Sequence, residues 1–294
     1  MISIDWGTSS LRAYLLDGGG GILDRRAAAA GITTVKDGAF APVLAEAIAG
    51  WPTDAPIALS GMIGSRQGWR EAPYVPCPAG LAEIAAAVLP MDDLVGRRAM
   101  LIPGLSHRDG DGPDVMRGEE TQAMGLALAE GRICLPGTHS KWARLEGGKI
   151  VGFRTYLTGE LFAALTDHTI VGRLMPPAEP EPVEWRAGFD RGVDRAQRAT
   201  GLLSSLFGVR ATGLLGDLPL ELLRPFLSGL LIGTEFREAA PPPDQPLTLI
   251  GSEALALRYG RAADRLGIPA RPAQPDLAAL GAFRIAQAAG LPTS

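Results

Sequence analysis

The stretch Ile2-Ser3-Ile4-Asp5-Trp6-Gly7-Thr8-Ser9-Ser10-Leu11-Arg12-Ala13-Tyr14-Leu15-Leu16 decides the fold. Two short alternating apolar runs flank a turn of four small residues, which predicts a β-hairpin. Such a turn leaves its backbone N–H groups uncovered, so it can close around an anion. Asp5 stands just before the turn, where a carboxylate can hold a hydrated Mg²⁺. Arg12, on the returning strand, is placed to reach the same anion. An acid, a small-residue turn and a base suit phosphoryl transfer, in which positioning and charge neutralisation supply most of the catalysis.

A second device of the same kind lies further along. Ile133-Cys134-Leu135 reads as a strand, Pro136-Gly137-Thr138-His139-Ser140-Lys141-Trp142 turns, and Ala143 to Leu145 returns. Its repetition suggests two related halves facing a shared ligand. A buried strand, Leu247 to Ile250, then opens through Gly251-Ser252 into a helix, a junction that lets a flat ligand approach the backbone.

Two further segments carry chemistry. Ile57 to Leu59 is a buried strand that runs into the glycine-punctuated loop Ser60 to Trp69, and α/β sheets place ligands at such strand ends. Within that loop Arg66 can grip a carboxylate through its planar fork, and Trp69 can pack on a sugar face. The segment Asp114-Val115-Met116-Arg117-Gly118-Glu119-Glu120-Thr121 leads into a helix. Its two adjacent glutamates are either complements of the helix dipole or a catalytic acid pair. Remaining helices are expected at 38–50, 80–89, 158–166 with Thr158 as cap, 186–207, 219–238 and 276–289. Strands are expected at 22–26 and 100–103.

Composition bounds the function. The 294 residues suffice for two domains, and 46% hydrophobic with 20% charged residues is ordinary for a globular protein. A net charge of −4 argues against a nucleic-acid footprint. The start of the chain predicts no secretory leader, and no apolar run is long enough to cross a membrane. Cys77 and Cys134 are too few for a disulfide framework or a zinc site, and His107, His139 and His168 share no metal-ligand spacing. A reduced, cytoplasmic protein is expected, with a homo-oligomer left open.

The opening hairpin, Gly137 to Lys141 and Ile250 to Ala254, in this order, resemble the two phosphate loops and the adenosine motif of the actin-like ATPase and sugar-kinase superfamily. The chain differs from many members in carrying one glycine, Gly251, and then Ser252 where they have two. A closer resemblance joins Ser60 to Trp69, Met116 to Gln122, Pro136 to Trp142, Thr158 to Phe162 and Ser228 to Gly233. Together these are similar to the 2-dehydro-3-deoxygalactonokinase family.

The resemblance implies an α/β fold of two ribonuclease-H-like domains around a central nucleotide and substrate cleft. The expected division is 1–130, carrying the first phosphate loop and sugar-acid site, and 131–275, carrying the second loop and adenosine site. Residues 276–294 form a helix expected to pack back on the first domain. The implied activity is ATP-dependent phosphorylation of 2-dehydro-3-deoxy-D-galactonate at its 6-hydroxyl, in galactonate and galactose catabolism. In this reading Asp5 holds Mg²⁺ through water, and Gly7, Thr8, Ser9 and Arg12 hold the transferring phosphoryl. From the second half Gly137, Thr138, His139, Ser140 and Lys141 hold the β- and γ-phosphates, with Gly251 and Ser252 at the nucleoside. Gly64, Ser65, Arg66 and Trp69 receive the sugar acid. Glu119 or Glu120, with Asp114 as the reserve, takes the hydroxyl proton. The alternatives are a kinase for a related keto-deoxy acid, a polyphosphatase-like hydrolase of the same superfamily, and an actin-like assembly ATPase.

Overall fold

The structure is a computed structural model that describes residues 1–177 and 183–292. It divides into two compact units, residues 1–131, 143–153 and 274–294 in the first and 132–142 with 154–273 in the second.

In the first unit, β1 (Ile2–Trp6) and β2 (Leu11–Leu16) form the expected hairpin, with Asp5 directly opposite Arg12. With β3 (Ile22–Ala28), β4 (Ile57–Ser60), β6 (Leu89–Leu94) and β7 (Arg97–Leu101) they make a six-stranded sheet in the order β3-β2-β1-β4-β7-β6. β1 runs parallel to β4, and β4 parallel to β7. Alternation along β1 sends Ile2, Ile4 and Trp6 into a core with Phe40 and Leu44 of α1 (Phe40–Ala47). The opposite alternation places Ser3 and Asp5 on the other face.

A second, three-stranded sheet of β5 (Tyr74–Pro76), β8 (Gly104–Asp109) and β9 (Gly112–Met116) was not expected from the sequence. The helix expected over 80–89 is shorter, α2 (Leu81–Ala86), because Leu89 and Pro90 already belong to β6. α3 (Glu119–Leu126) packs on the last helix, α9 (Leu277–Ala288), which also touches β1. The two helices approach so closely that a Cβ on Gly281 would lie 1.7 Å from the Thr121 carbonyl oxygen.

The second unit is built around β10 (Gly131–Leu135), which pairs in parallel with β13 (Leu247–Leu249). The sheet has the order β12-β11-β10-β13-β14, with β11 at Ser140–Glu146 and β12 at Lys149–Tyr156, both partly within residues 143–153 of the first unit, and β14 at Ala270–Pro272. Cys134, Trp142, Phe189, Phe236, Leu249 and Tyr259 form one core cluster. The long helix expected over 186–207 is two, α5 (Trp185–Arg198) and α6 (Leu202–Leu214). Ala199 and Gly201 adopt extended backbone between them, which ends the first helix. The remaining helices are α4 (Thr158–His168), α7 (Leu223–Ala239) and α8 (Glu253–Arg265). Among the described residues, no helix is long and apolar enough to cross a membrane.

Candidate active site

The turn between β1 and β2 is held from behind. Gly7 N–H donates to the Ser10 carbonyl at 2.9 Å, the Gly7 carbonyl accepts from Ile32 N–H at 3.0 Å, and the Thr8 carbonyl accepts from the Thr33 hydroxyl at 2.8 Å. Its carbonyls are thus committed to neighbouring chain, so what the turn offers a ligand is N–H and hydroxyl groups. Arg12 Nη1 lies 3.4 Å from Asp5 Oδ2, with Arg12 half exposed and Asp5 mostly covered. Burial raises the Asp5 carboxyl above its usual range, and the Arg12 cation beside it pulls in the other direction.

Asp5 has close company from two glycines. Gly61 follows β4 with φ +87°, and a Cβ there would come within 2.9 Å of the Trp6 carbonyl and 3.3 Å of Asp5 Oδ1. Gly118 has φ +107°, and its Cβ would be 3.2 Å from the Gly61 Cα. Both positions combine a left-handed backbone with a neighbour that leaves no room for a side chain. The Asp5 carboxylate, Gly61 and the turn that starts α3 therefore stack directly. A lone hard-oxygen donor at a strand end, unencumbered by side chains on its Gly61 side, fits a hydrated divalent cation.

Glu119 and Glu120 both fold back on the turn. Glu119 Oε2 accepts from Arg117 N–H at 3.0 Å, and Glu120 Oε2 accepts from Gly118 N–H at 2.7 Å. Glu120 Oε1 also accepts from the Thr121 hydroxyl at 2.9 Å. Glu120 is fully buried, and burial, followed by the charge of Glu119, pushes its carboxyl up to about 8. Asp114 lies apart from this turn, on β9 opposite His107, with Oδ1 accepting from Val115 N–H.

The loop after β4 is less uniform than its sequence suggests. Gly64 and Ser65 are covered by it, whereas Arg66 extends into solvent, 87% exposed, and pairs with Glu71 at 3.5 Å. The ring of Trp69 stacks on Phe40 with centroids 5.9 Å apart, so one of its faces is already used in packing.

In the second unit, β10 and β13 run parallel, and Ile250 N–H donates to the Cys134 carbonyl at 2.8 Å. Their C-terminal ends therefore deliver Gly137 and Gly251 side by side, where α/β sheets hold ligands. A Cβ on Gly251 would be 3.4 Å from the Pro136 carbonyl oxygen. Ser252 caps α8, its hydroxyl accepting from Leu255 N–H. The start of α4 is pressed against the second loop: Glu160 N–H donates to the Thr138 carbonyl, and a Cβ on Gly159 would meet the Gly137 carbonyl at 2.3 Å. His139 pairs with Glu160, and Lys141 Nζ donates to the Thr155 hydroxyl at 2.9 Å. An adjoining cavity of about 290 Å³ has walls of Phe162, Leu231, Ile232 and Leu255, with Arg224, Ser228 and Arg258 as polar groups.

The residue that organises this second region escaped sequence reasoning. Glu235 on α7 is 2% exposed and accepts from four side chains: the Ser140 hydroxyl at 2.6 Å, Trp142 Nε1 at 2.6 Å, the Tyr259 hydroxyl at 2.7 Å and the Thr158 hydroxyl. Thr158 is therefore not the cap of α4, as expected, because its hydroxyl is committed to Glu235 and Leu157 occupies the cap position. Burial raises the Glu235 carboxyl, and the donated hydrogen bonds oppose that rise. The only sequence signal was an acidic residue inside the apolar run Leu230 to Phe236.

Comparison with known proteins gives the family. The sequence profile of the 2-keto-3-deoxy-galactonokinase family matches residues 5–285. The 2-dehydro-3-deoxygalactonokinase of Escherichia coli strain K12 is 38% identical over 271 residues, covering 90% of each chain. A crystal structure of a candidate 2-dehydro-3-deoxygalactonokinase from Sinorhizobium meliloti superposes with a TM-score of 0.86 at 38% identity, covering 98% of both chains. The activator of the 2-hydroxyisocaproyl-CoA dehydratase from Clostridium difficile, solved with bound ADPNP, shares the fold alone: TM-score 0.50, 11% identity, 98% of this chain and 95% of that one. The chain belongs to the 2-keto-3-deoxy-galactonokinase family, and it is a sugar-acid kinase.

Proposed function

We propose that this chain transfers the γ-phosphoryl of Mg·ATP to the 6-hydroxyl of 2-dehydro-3-deoxy-D-galactonate, giving the 6-phosphate and ADP. The observation that carries the reading beyond family membership is the stack of Asp5, Gly61 and Gly118, followed at once by a buried glutamate with its carboxyl near 8. A carboxyl tuned close to neutrality is suited to receive a hydroxyl proton. We assign that role to Glu120, with Glu119 as the neighbour that raises its affinity for the proton.

Asp5 would hold Mg²⁺ through water, and the ion would supply charge neutralisation on the phosphates. The N–H groups of Thr8 and Ser9, in the turn that Gly7 opens, and the Arg12 guanidinium bind the transferring phosphoryl. Thr138 and its neighbours bind the β- and γ-phosphates, and the apolar cavity lined by α4, α7 and α8 takes the nucleoside. In this division residues 1–130 serve the acid and residues 131–275 the nucleotide. The loop Gly64 to Trp69 receives the sugar acid. The test is a coupled ADP assay across a panel of 2-keto-3-deoxy acids, including a 6-deoxy analogue. ADP release is expected only with acids that carry the 6-hydroxyl; equal release without any acid would refute the reading.

A further inference from the structure

Arg117 is a buried cation whose guanidinium is only partly hydrogen-bonded among the described residues. The residue is 8% exposed, and its Nη2 donates to the Ala72 carbonyl at 2.8 Å. The guanidinium lies over the Tyr74 ring, 4.3 Å from the centroid. Its Nε and Nη1 are buried with no hydrogen-bond partner. Three of the five guanidinium protons sit on those two nitrogens. Burying such donors unpaired is costly, and native folds retain such an arrangement where something else satisfies it.

The surroundings say what that partner is. Nη1 faces Gly64, where a Cβ would come within 2.9 Å, so the backbone there is bare on the Arg117 side. The next residue, Ser65, also has a buried hydroxyl with no partner. Two unmet donor groups thus belong to one corner, formed by the loop after β4 and the turn before α3. A planar guanidinium fork with a hydroxyl that can donate makes a site for a small oxyanion, and the fork matches a carboxylate.

We propose that Arg117, with the Ser65 hydroxyl, binds the carboxylate of the sugar acid, and that the exposed Arg66 contributes less. This deepens the proposed function and rests on it. The phosphates have their own turns at Gly7 to Ser9 and Gly137 to Lys141, which favours the carboxylate as the occupant.

The experiment measures KM for each substrate, and the thermal shift caused by 2-dehydro-3-deoxy-galactonate without ATP, in the wild type, Arg117→Met, Arg117→Lys, Ser65→Ala and Arg66→Met. Arg117→Met is expected to raise KM for the acid on the order of 10²-fold, with KM for ATP changed less than about twofold. Arg117→Lys keeps the charge without the fork and should raise it at least about tenfold. Ser65→Ala and Arg66→Met should each have smaller effects. The wild type should prefer the acid to its neutral primary amide, and Arg117→Met should lose that preference. The acid should raise the melting temperature of the wild type and not of Arg117→Met, a readout independent of turnover.

An unchanged acid KM, a preference for acid over amide that survives in Arg117→Met, or equal losses for ATP and acid would overturn the assignment; the last would place Arg117 at a phosphate. A wild type that binds the acid but phosphorylates none of the panel would refute the proposed function while the thermal shift still decides on Arg117.

Discussion

Among the described residues each unit buries one glutamate almost completely, and the two are provided for very differently. Glu235 accepts hydrogen bonds from four side chains drawn from β11, α4 and α8. Glu120 accepts from the Thr121 hydroxyl and from the backbone N–H groups of Gly118 and of Glu120 itself, all within two residues. Both carboxyls are raised by burial, but only at Glu235 do four donors stabilise the charged form. A saturated carboxylate is a joint that holds elements together. We propose that one supplied only from its own turn, just after the Gly61–Gly118 stack, exchanges a proton. Burial alone does not distinguish structure from chemistry; the origin of the donors does.

Replacing the carboxyls at the first site should cost most. Glu120→Gln should lower kcat by about 10²–10⁴-fold with little change in either KM, as expected for the loss of a general base. Asp5→Asn should lower kcat on the order of 10²-fold while the fold survives. Circular dichroism and steady-state kinetics on the same preparations check both, and near wild-type turnover in either variant would remove that residue from the mechanism.

At the second site the same substitution should act through stability. A glutamine at 235 cannot satisfy four donors, so Glu235→Gln should destabilise the chain by roughly 3 kcal/mol or more. Because Ser140 lies in the Gly137 to Lys141 turn proposed to hold the phosphates, KM for ATP should rise while KM for the acid holds. Denaturant unfolding that leaves the midpoint unmoved would contradict the role of Glu235 as a joint.

Stability against pH separates the two further. The folded chain keeps the Glu120 proton up to about pH 8, whereas the unfolded chain releases it near 4.5. The folded state binds more protons in that window, so stability declines as pH rises through it. Glu235, also raised, contributes with the same sign. Glu120→Gln should flatten part of the decline, and an unaltered slope would argue against a neutral, buried Glu120.

Packing behind Glu120 offers a smaller test. Gly281→Ala forces a methyl group against the Thr121 carbonyl, and overpacking of this kind typically costs about 1–3 kcal/mol. It should also reduce kcat, since Thr121 carries a hydroxyl that Glu120 accepts.

Much of the first unit was legible because its signals are local. The small-residue turn between alternating runs specified the β1–β2 hairpin, and the Asp5–Arg12 pairing follows from its register. The Gly137 and Gly251 junctions were legible for the same reason, each being a strand that ends in glycine. Glu235 was not, because its donors stand at 140, 142, 158 and 259 and only the folded chain assembles them. Arg66 read as the anion ligand since it lies in a glycine-rich loop; Arg117, in a charged run, gave no hint of burial. The β5-β8-β9 sheet was missed because its strands are short and partly polar, and the break between α5 and α6 because apolar periodicity continues on both sides of it.

The smallest expected effect is the sharpest. Glu119 raises the Glu120 carboxyl through its charge, so Glu119→Gln should move the Glu120 titration to lower pH. A titration left in place would assign the elevation to burial alone.

The measurement that tests the central claim most directly is the pH dependence of kcat/KM for the sugar acid in the wild type and in Glu120→Gln. The wild-type profile should rise through a limb near 8, the value of the Glu120 carboxyl, and the variant's residual activity should lack that limb. The same limb in both proteins would show that the proton goes elsewhere.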